Sequence, residues 1–281
     1  MRFSNEKYLI LGAGGQLAEA FERVLSQRKT EALALSWKQA DFSKPQALKL
    51  PLSGVTAVIN CGAYTNVDGA EEDEGTARKV NGEAVGVIAQ ACKSAGIPLL
   101  HFSTDYVFDG AGSTPLSTEH PRAPLNAYGR TKALGEELLE QSGADYLLVR
   151  TSWVYSSWGV NFVKTMARLT RERDTLKVVD DQRGRPTHVT GLAERSLALL
   201  EQGHRGTFHC TDEGECTWYG FTQAIRDAIG ATCNIIPCTT AEFPRPAARP
   251  AYGVLDTQKT DAILGKATHY REWLSQMAAD L

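Results

Sequence analysis

Tyr128 and Lys132 stand four residues apart in segment 124–132 (PLNAYGRTK). On a helix, positions i and i+4 share a face, so phenol and ammonium would point into one cleft. A free phenol titrates at ~10, too high for an efficient acid near neutrality, and a nearby ammonium favours its ionised form. That spacing is common by chance, and its meaning depends on company. Thr104 supplies some of it. It lies in Ser103-Thr104-Asp105, directly after the apolar run 97–102. Open α/β sheets gather ligands at the carboxyl ends of their strands, and a hydroxyl there can donate a hydrogen bond to a carbonyl oxygen.

A third group lies near the N-terminus, in segment 12–18 (GAGGQLA). As GxGxxG it fails, because Leu17 occupies the third glycine position. As GxxGxxG it fits at Gly12 and Gly15, with Ala18 third and small enough for close helix packing. A strand-to-helix turn of this kind lets backbone N–H groups approach a pyrophosphate. A glycine turn, a strand-end hydroxyl and a helical YxxxK, in that order, together describe a hydride-transfer site with Tyr128 as proton donor. Cofactor choice turns on the end of the second strand. A carboxylate there would bond the 2′-hydroxyl of NAD and repel the 2′-phosphate of NADP. Segment 35–38 (LSWK) has none, while Ser36 and Lys38 suit a phosphate, which favours NADPH over NADH. Asp41 and Phe42, just beyond, would border the adenine.

The elements that must position these groups alternate. Short apolar runs at 8–11, 32–35, 55–59, 97–102 and 146–149 read as buried strands. Between them lie helical patterns carrying Leu17, Phe21, Val24 and Leu25, then Val80, Ala84, Ile88 and Ala91, then residues 125–140. Strands separated by helices specify a parallel sheet covered on both faces. The expected fold is therefore α/β, a Rossmann-type doubly wound sheet. Residues 1–150 would form the dinucleotide-binding domain. Residues 151–281 would form mainly a smaller substrate-binding lobe, with some segments returning to the first domain. Helical patterns recur there at 162–169, 192–200 and 221–229, and short strands are expected at 176–179, 207–210 and 234–237. Segment 243–250, with three prolines and two arginines, reads as a loop. The acidic run Glu71 to Glu74 most simply supplies negative charge to a helix N-terminus.

Composition narrows the class. The 281 residues carry a net charge of −3, without the basic footprint of a nucleic-acid binder. No apolar stretch approaches the roughly 20 residues of a membrane span, and residues 1–11 are not expected to act as a signal-peptide core. Six cysteines are scattered without a CxxC pair, so a reducing cytoplasm is the expected setting. His204, His209, Cys210, Cys216, Cys233 and Cys238 do not match zinc spacing, and no metal site is expected.

With these residues in view, the chain resembles the extended short-chain dehydrogenase/reductases, and within them the dTDP-4-dehydrorhamnose reductase family. The matching segments run in order along nearly the whole chain: 12–17 (GAGGQL), 60–68 (NCGAYTNVD), 103–110 (STDYVFDG), 124–132, 150–155 (RTSWVY), 161–166 (NFVKTM), 178–182 (VVDDQ), 184–187 (GRPT), and 249–250 (RP) with 255–257 (LDT). The resemblance implies reduction of the 4-keto group of dTDP-4-dehydro-L-rhamnose by NAD(P)H. Gly15, Gln16 and Leu17 would line the pyrophosphate, and Ala63, Tyr64 and Thr65 would flank the cofactor after the family's fourth strand. Lys132 would hold the nicotinamide ribose, and Thr104 would bind the reacting oxygen. Thr104, Asp105 and Trp153 would contact the sugar nucleotide, with Asn161 and Arg185 as further candidates. The family's usual assembly would be a monomer or homodimer. Three departures stand out. The usual glycine after GQL is Ala18 here, which is tolerable for packing. The acidic residue expected after GRPT is absent, and Gly62 replaces a common alanine, a change expected to matter little. Two alternatives remain open at this point: a reductase of another nucleotide-linked 4-keto-6-deoxyhexose, and a non-catalytic NADP-binding regulatory subunit. Intact Thr104, Tyr128 and Lys132 argue against the second.

Overall fold

A computed structural model describes residues 6–281. Its centre is a six-stranded sheet built from β1 (Lys7–Leu11), β2 (Glu31–Leu35), β3 (Ala57–Asn60), β4 (Leu99–Thr104), β5 (Tyr146–Thr151) and one late strand, Gly206–His209. The spatial order is β2, β1, β3, β4, β5 and then the late strand, with every pair parallel. Alternation of side chains along β1 explains the two covered faces. Tyr8 and Ile10 enter one core, with Phe21 and Leu25 of helix α1 (Gln16–Gln27) and with Leu192 and Leu197 of the helix Val189–Glu201. Leu9 and Leu11 enter the opposite core, against Ile88, Ala89 and Cys92. The order reverses at β1, between β2 and β3, where an open α/β sheet leaves a crevice at its strand ends.

The second-face helices have defined starts. Helix α2 (Val67–Glu72) is capped by Asn66 and α3 (Glu74–Arg78) by Asp73, whose carboxylate accepts the Thr76 N–H at 2.9 Å. A π-helical turn, Lys79–Glu83, joins α3 to α4 (Ala84–Ala95). Helix α5 (Ala127–Ser142) begins at Asn126, whose side chain accepts the Gly129 N–H at 2.8 Å, and stops at Gly143 in the left-handed conformation. The acidic run serves two helix starts. Asp73 caps its own helix, and Glu71 accepts the Ala127 N–H at the head of α5 at 2.7 Å.

Beyond β5 the chain builds a smaller lobe from β6 (Val154–Tyr155), α6 (Phe162–Glu172), β7 (Thr175–Val179), β8 (Arg183–Gly184) and β9 (Thr187–His188). It then returns to the sheet through α7, the helix Val189–Glu201, and β10, the strand Gly206–His209. The remaining elements are β11 (Cys216–Thr217), α8 (Trp218–Ala228), β12 (Asn234–Cys238), α9 (Gln258–Leu264) and α10 (Tyr270–Met277). Tyr155, Val163, Phe221, Ile225, Tyr270 and Leu274 form this lobe's core. Segment 243–250 contains neither strand nor helix and begins directly after a short helical turn at Thr240–Glu242. This segment is pinned to α2, where Asp68 accepts from the Arg245 and Arg249 guanidiniums and from the Ala247 N–H.

Candidate active site

The glycine turn is built for close approach. Gly12 has φ +93°, and a Cβ there would fall 2.7 Å from the Gly62 nitrogen, so the two strand-end loops touch only because Gly12 carries no side chain. Gly15 precedes α1 without any side-chain cap, which leaves the first N–H groups of the helix, those of Gln16 and Leu17, without a capping acceptor. That donor set fits an anion such as a pyrophosphate. The Gln16 side chain has other work. Its Oε1 accepts from Ser156 Oγ at 2.6 Å and Asn161 Nδ2 at 2.8 Å, and its Nε2 donates to the Val160 carbonyl, tying the turn to the second lobe. Asn161, a candidate substrate contact, also caps α6 through the Lys164 N–H.

On the β2 side, Ser36 donates to Gln39 Oε1 at 2.8 Å, and Lys38 is exposed beside Trp37. Hydrogen bonds from the Ser43 hydroxyl and N–H hold the Asp41 carboxyl below its ordinary range. Phe42 is buried, and here one sequence expectation fails. Gly62 does matter, because a Cβ at that position would stand 2.5 Å from the Phe42 ring. Ala63, Tyr64 and Thr65 follow β3, the third strand of this chain and not the fourth. Their loop is held by a residue that sequence reasoning missed. Asn81, buried in the π turn, accepts the Tyr64 N–H at 2.8 Å and donates to the Tyr64 carbonyl at 3.1 Å and to Thr131 Oγ1 at 3.2 Å. The one available signal was a polar residue beside the apolar pattern of Val80, Ala84 and Ile88.

Thr104 ends β4, paired in register with Thr151 of β5. Its hydroxyl donates to Asp105 Oδ1 at 2.9 Å and accepts the Tyr106 N–H at 3.2 Å. Helix α5 brings Tyr128 to it by close packing at its first turn, where a Cβ on Gly129 would lie 2.2 Å from the Tyr106 carbonyl oxygen. One turn later Lys132 is buried, and its Nζ donates to the Phe102 carbonyl at 2.7 Å. Here a second expectation is corrected. The Tyr128 phenol is pushed up from its ordinary value, by burial and by the Asp105 charge, and only the neighbouring Thr104 hydroxyl acts the other way. Burial pushes Lys132 down to about 8 and Asp105 up to about 7. Asp105 Oδ2 is buried without a partner. Farther along α5, Glu136 is fully buried. Burial raises its carboxyl, but Arg150 at 2.7 Å and Arg122 at 3.1 Å outweigh this and hold it below the ordinary range, bracing α5 on β5.

Trp153 lies two residues past the end of β5, half-buried and stacked on Trp218. Arg185 Nη1 donates to Thr257 Oγ1 at 3.0 Å, while its Nε is buried without a partner. The structure thus gathers Thr104, Asp105, Tyr128 and Lys132 about the carboxyl end of the interior strand β4 and places Gly12, Gly15, Ala63 and Tyr64 after the carboxyl ends of β1 and β3. All six cysteines are free, and among the described residues no cluster of metal-ligating side chains occurs. No helix among them is long and apolar enough to cross a membrane.

A Rossmann-type sheet that carries its tyrosine–lysine helix beside the β4 strand end is the architecture of the extended short-chain dehydrogenase/reductases. Within that class, the chain belongs to the family described as RmlD substrate binding domain, which matches residues 6–281. It is 39% identical over 271 residues to a dTDP-4-dehydrorhamnose reductase of Burkholderia thailandensis, covering 90% of this chain and 91% of that protein. A reductase of the same name from Mycobacterium tuberculosis is 38% identical, with 99% and 93% covered. The crystal structure of dTDP-4-dehydrorhamnose reductase from Bacillus anthracis in complex with NADP superposes with a TM-score of 0.93 at 32% identity, covering 99% of this chain and 100% of that one.

Proposed function

We propose that this protein reduces the 4-keto group of dTDP-4-dehydro-L-rhamnose with NADPH, giving dTDP-L-rhamnose. One observation carries the reading: the Tyr128 phenol neighbours the Thr104 hydroxyl at the end of β4, and Lys132, buried one helical turn later, donates to the Phe102 carbonyl of the same strand. Gly12, Gly15 and the main-chain N–H groups of Gln16 and Leu17 would hold the cofactor pyrophosphate. Asp41 and Phe42 would lie on the adenine side, Ala63, Tyr64 and Thr65 along the crevice, and Lys132 at the nicotinamide ribose. Bound NADPH supplies the hydride.

The chain's own groups supply the proton and the orientation. Thr104 donates a hydrogen bond to the C4 oxygen, and Tyr128 delivers its phenolic proton to that oxygen as negative charge develops on it. A phenol raised above its ordinary value stays protonated through the neutral range, which suits a donor in the reductive direction. Asp105 and Trp153 would contact the sugar nucleotide, with residues 151–281 as the main substrate lobe and residues 1–150 holding the cofactor. The names of the relatives support a dTDP-linked 4-keto sugar, and the NADP complex supports the cofactor. The proposed setting is a reducing cytoplasm, where six free thiols persist, and the proposed assembly is a monomer or homodimer.

The test is loss of nicotinamide absorbance with dTDP-4-dehydro-L-rhamnose generated in situ, with NADPH and NADH in parallel. Turnover that is faster with NADPH is the expected result. NADPH binding without turnover of this sugar, but with turnover of another dTDP-4-keto-6-deoxyhexose, would replace the substrate. Binding with no turnover of any such sugar would leave the regulatory reading in its place.

A further inference from the structure

Trp153 occupies a position that its backbone resists. Its φ of +48° lies in the left-handed region, which bulky residues rarely adopt. Among the described residues outside glycine only Lys29 shares this, in an exposed turn after α1. Such a conformation persists where the surroundings over-determine it. Trp218, the first residue of α8, stacks on the Trp153 indole with centroids 3.5 Å apart and planes 8° from parallel. Gln182 fixes Trp218 in turn, accepting its indole N–H at 3.1 Å while donating to Thr240 Oγ1 at 2.9 Å. Phe162 lies against Trp218 with centroids 4.4 Å apart. Gly184 completes the seat. A Cβ there would stand 2.6 Å from Trp153 Cε2, in a rigid ring that cannot swing its tip away. The Trp153 carbonyl accepts the Thr187 N–H at 3.2 Å.

The place of this seat gives it a use. Trp153 follows the carboxyl end of β5, whose last residue, Thr151, is the register partner of Thr104. We infer that Trp218 and Gly184 are positioning residues that hold the Trp153 indole as a preformed wall of the sugar-nucleotide cleft. The inference rests on the reading of that cleft given above. A wall ordered before binding loses no side-chain freedom when the ligand arrives, so its loosening weakens affinity and leaves the chemical step alone.

Three variants test this in the full chain: Trp218→Leu removes the stacked ring, Trp218→Phe keeps a flat ring, and Gly184→Ala crowds the Trp153 indole. Near-ultraviolet circular dichroism reads the coupled indoles, calorimetry reads the Kd of dTDP-glucose as a stable probe, and steady-state rates give KM and kcat. Trp218→Leu and Gly184→Ala are expected to raise KM and the dTDP-glucose Kd about tenfold, with kcat and NADPH affinity changed by less than about twofold. Trp218→Phe should recover most of the affinity. A lower Tm with KM and Kd unmoved would mean that the stack only packs the lobe, and would overturn the inference. If the wild-type protein binds dTDP-glucose but turns over no 4-keto sugar, the proposed reaction fails while the Kd comparison still decides the role of Trp218. If it does not bind dTDP-glucose at all, the inference falls too.

Discussion

At the carboxyl end of β4, burial sets the chemistry of each residue more than pairing does. Tyr128 is held in its protonated form, so its contribution is a proton and not a resident phenolate. Tyr128→Phe is expected to lower kcat by about 10²–10⁴-fold, the usual worth of a general acid, while NADPH affinity measured by fluorescence stays near wild type. Asp105 adds a pH dependence. Its carboxyl, raised to about 7 by burial, accepts the Thr104 hydroxyl proton when ionised and so draws that donor away from a substrate oxygen. Reduction should therefore weaken as pH rises through about 7. Asp105→Asn, which cannot ionise, should lose that limb of the kcat/KM profile, and an unchanged limb would reject the assignment. Gly62 shows how a residue-scale judgement fails without its neighbours. Nothing around position 62 in the chain announces that the Phe42 ring, twenty residues earlier, lies 2.5 Å from where a Cβ would sit. Gly62→Ala should cost about 1–3 kcal/mol as an overpacked site. Denaturant unfolding would show this, with partial recovery in a Gly62→Ala, Phe42→Leu double variant.

Among the elements, the sheet and its first-domain helices were legible because the strands are continuous apolar runs and the helices keep an amphipathic period. Strands buried along nearly their whole length and amphipathic helices fall within a few residues of their expected bounds, and the glycine turn lies where the GxxGxxG spacing puts it. The helical pattern of Val80, Ala84, Ile88 and Ala91 was legible only in part. The π turn at Lys79–Glu83 breaks the regular helical phase that the pattern assumes, and the buried face of α4 runs through Ala84, Val85, Ile88, Ala89 and Cys92, leaving Ala91 half-buried. Local propensity carries no sign of that turn, because its reason is tertiary. It aims Asn81 at both the Tyr64 backbone and Thr131 of α5. Asn81→Ala would leave the half-buried Tyr64 N–H and carbonyl without their partner, at a cost of about 1 kcal/mol. It should lower Tm and weaken NADPH affinity about tenfold, with kcat at saturating NADPH much less affected. Equal loss of kcat and affinity would place Asn81 in the chemistry and not in the loop's support.

For the whole molecule, the second lobe was harder to read because β6, β8, β9 and β11 are two residues long, too short for any periodic signal. What joins the lobes is also invisible in one dimension: Gln16 bonds across 140 residues to Ser156, and Asp68 bonds to Arg249 across 181. The same long-range packing buries ionisable groups whose effects on stability oppose one another. Asp212 lies under the head of α7, accepting the His188 N–H at 2.7 Å, and burial pushes its carboxyl up to about 8. The folded chain then binds more protons than the unfolded one between ~4 and that value, so this stability is full in acid and lost as pH rises. Asp105 adds the same sign around 7. His188 and His209, pushed down by burial to about 4 and about 3, act the other way and destabilise the fold as pH drops below ~6.5. From that point up to about 8, where Lys132 begins to lose its proton in the folded chain and acts the other way, the carboxyls dominate, so Tm should peak slightly on the acid side of neutrality and decline by about 5 °C or more across that range. Asp212→Asn keeps the acceptor for the His188 N–H but cannot ionise, and should flatten most of that decline in thermal unfolding at matched ionic strength. Parallel curves for variant and wild type would mean that Asp212 is ionised in both folded and unfolded chains, and that its burial is relieved by solvent.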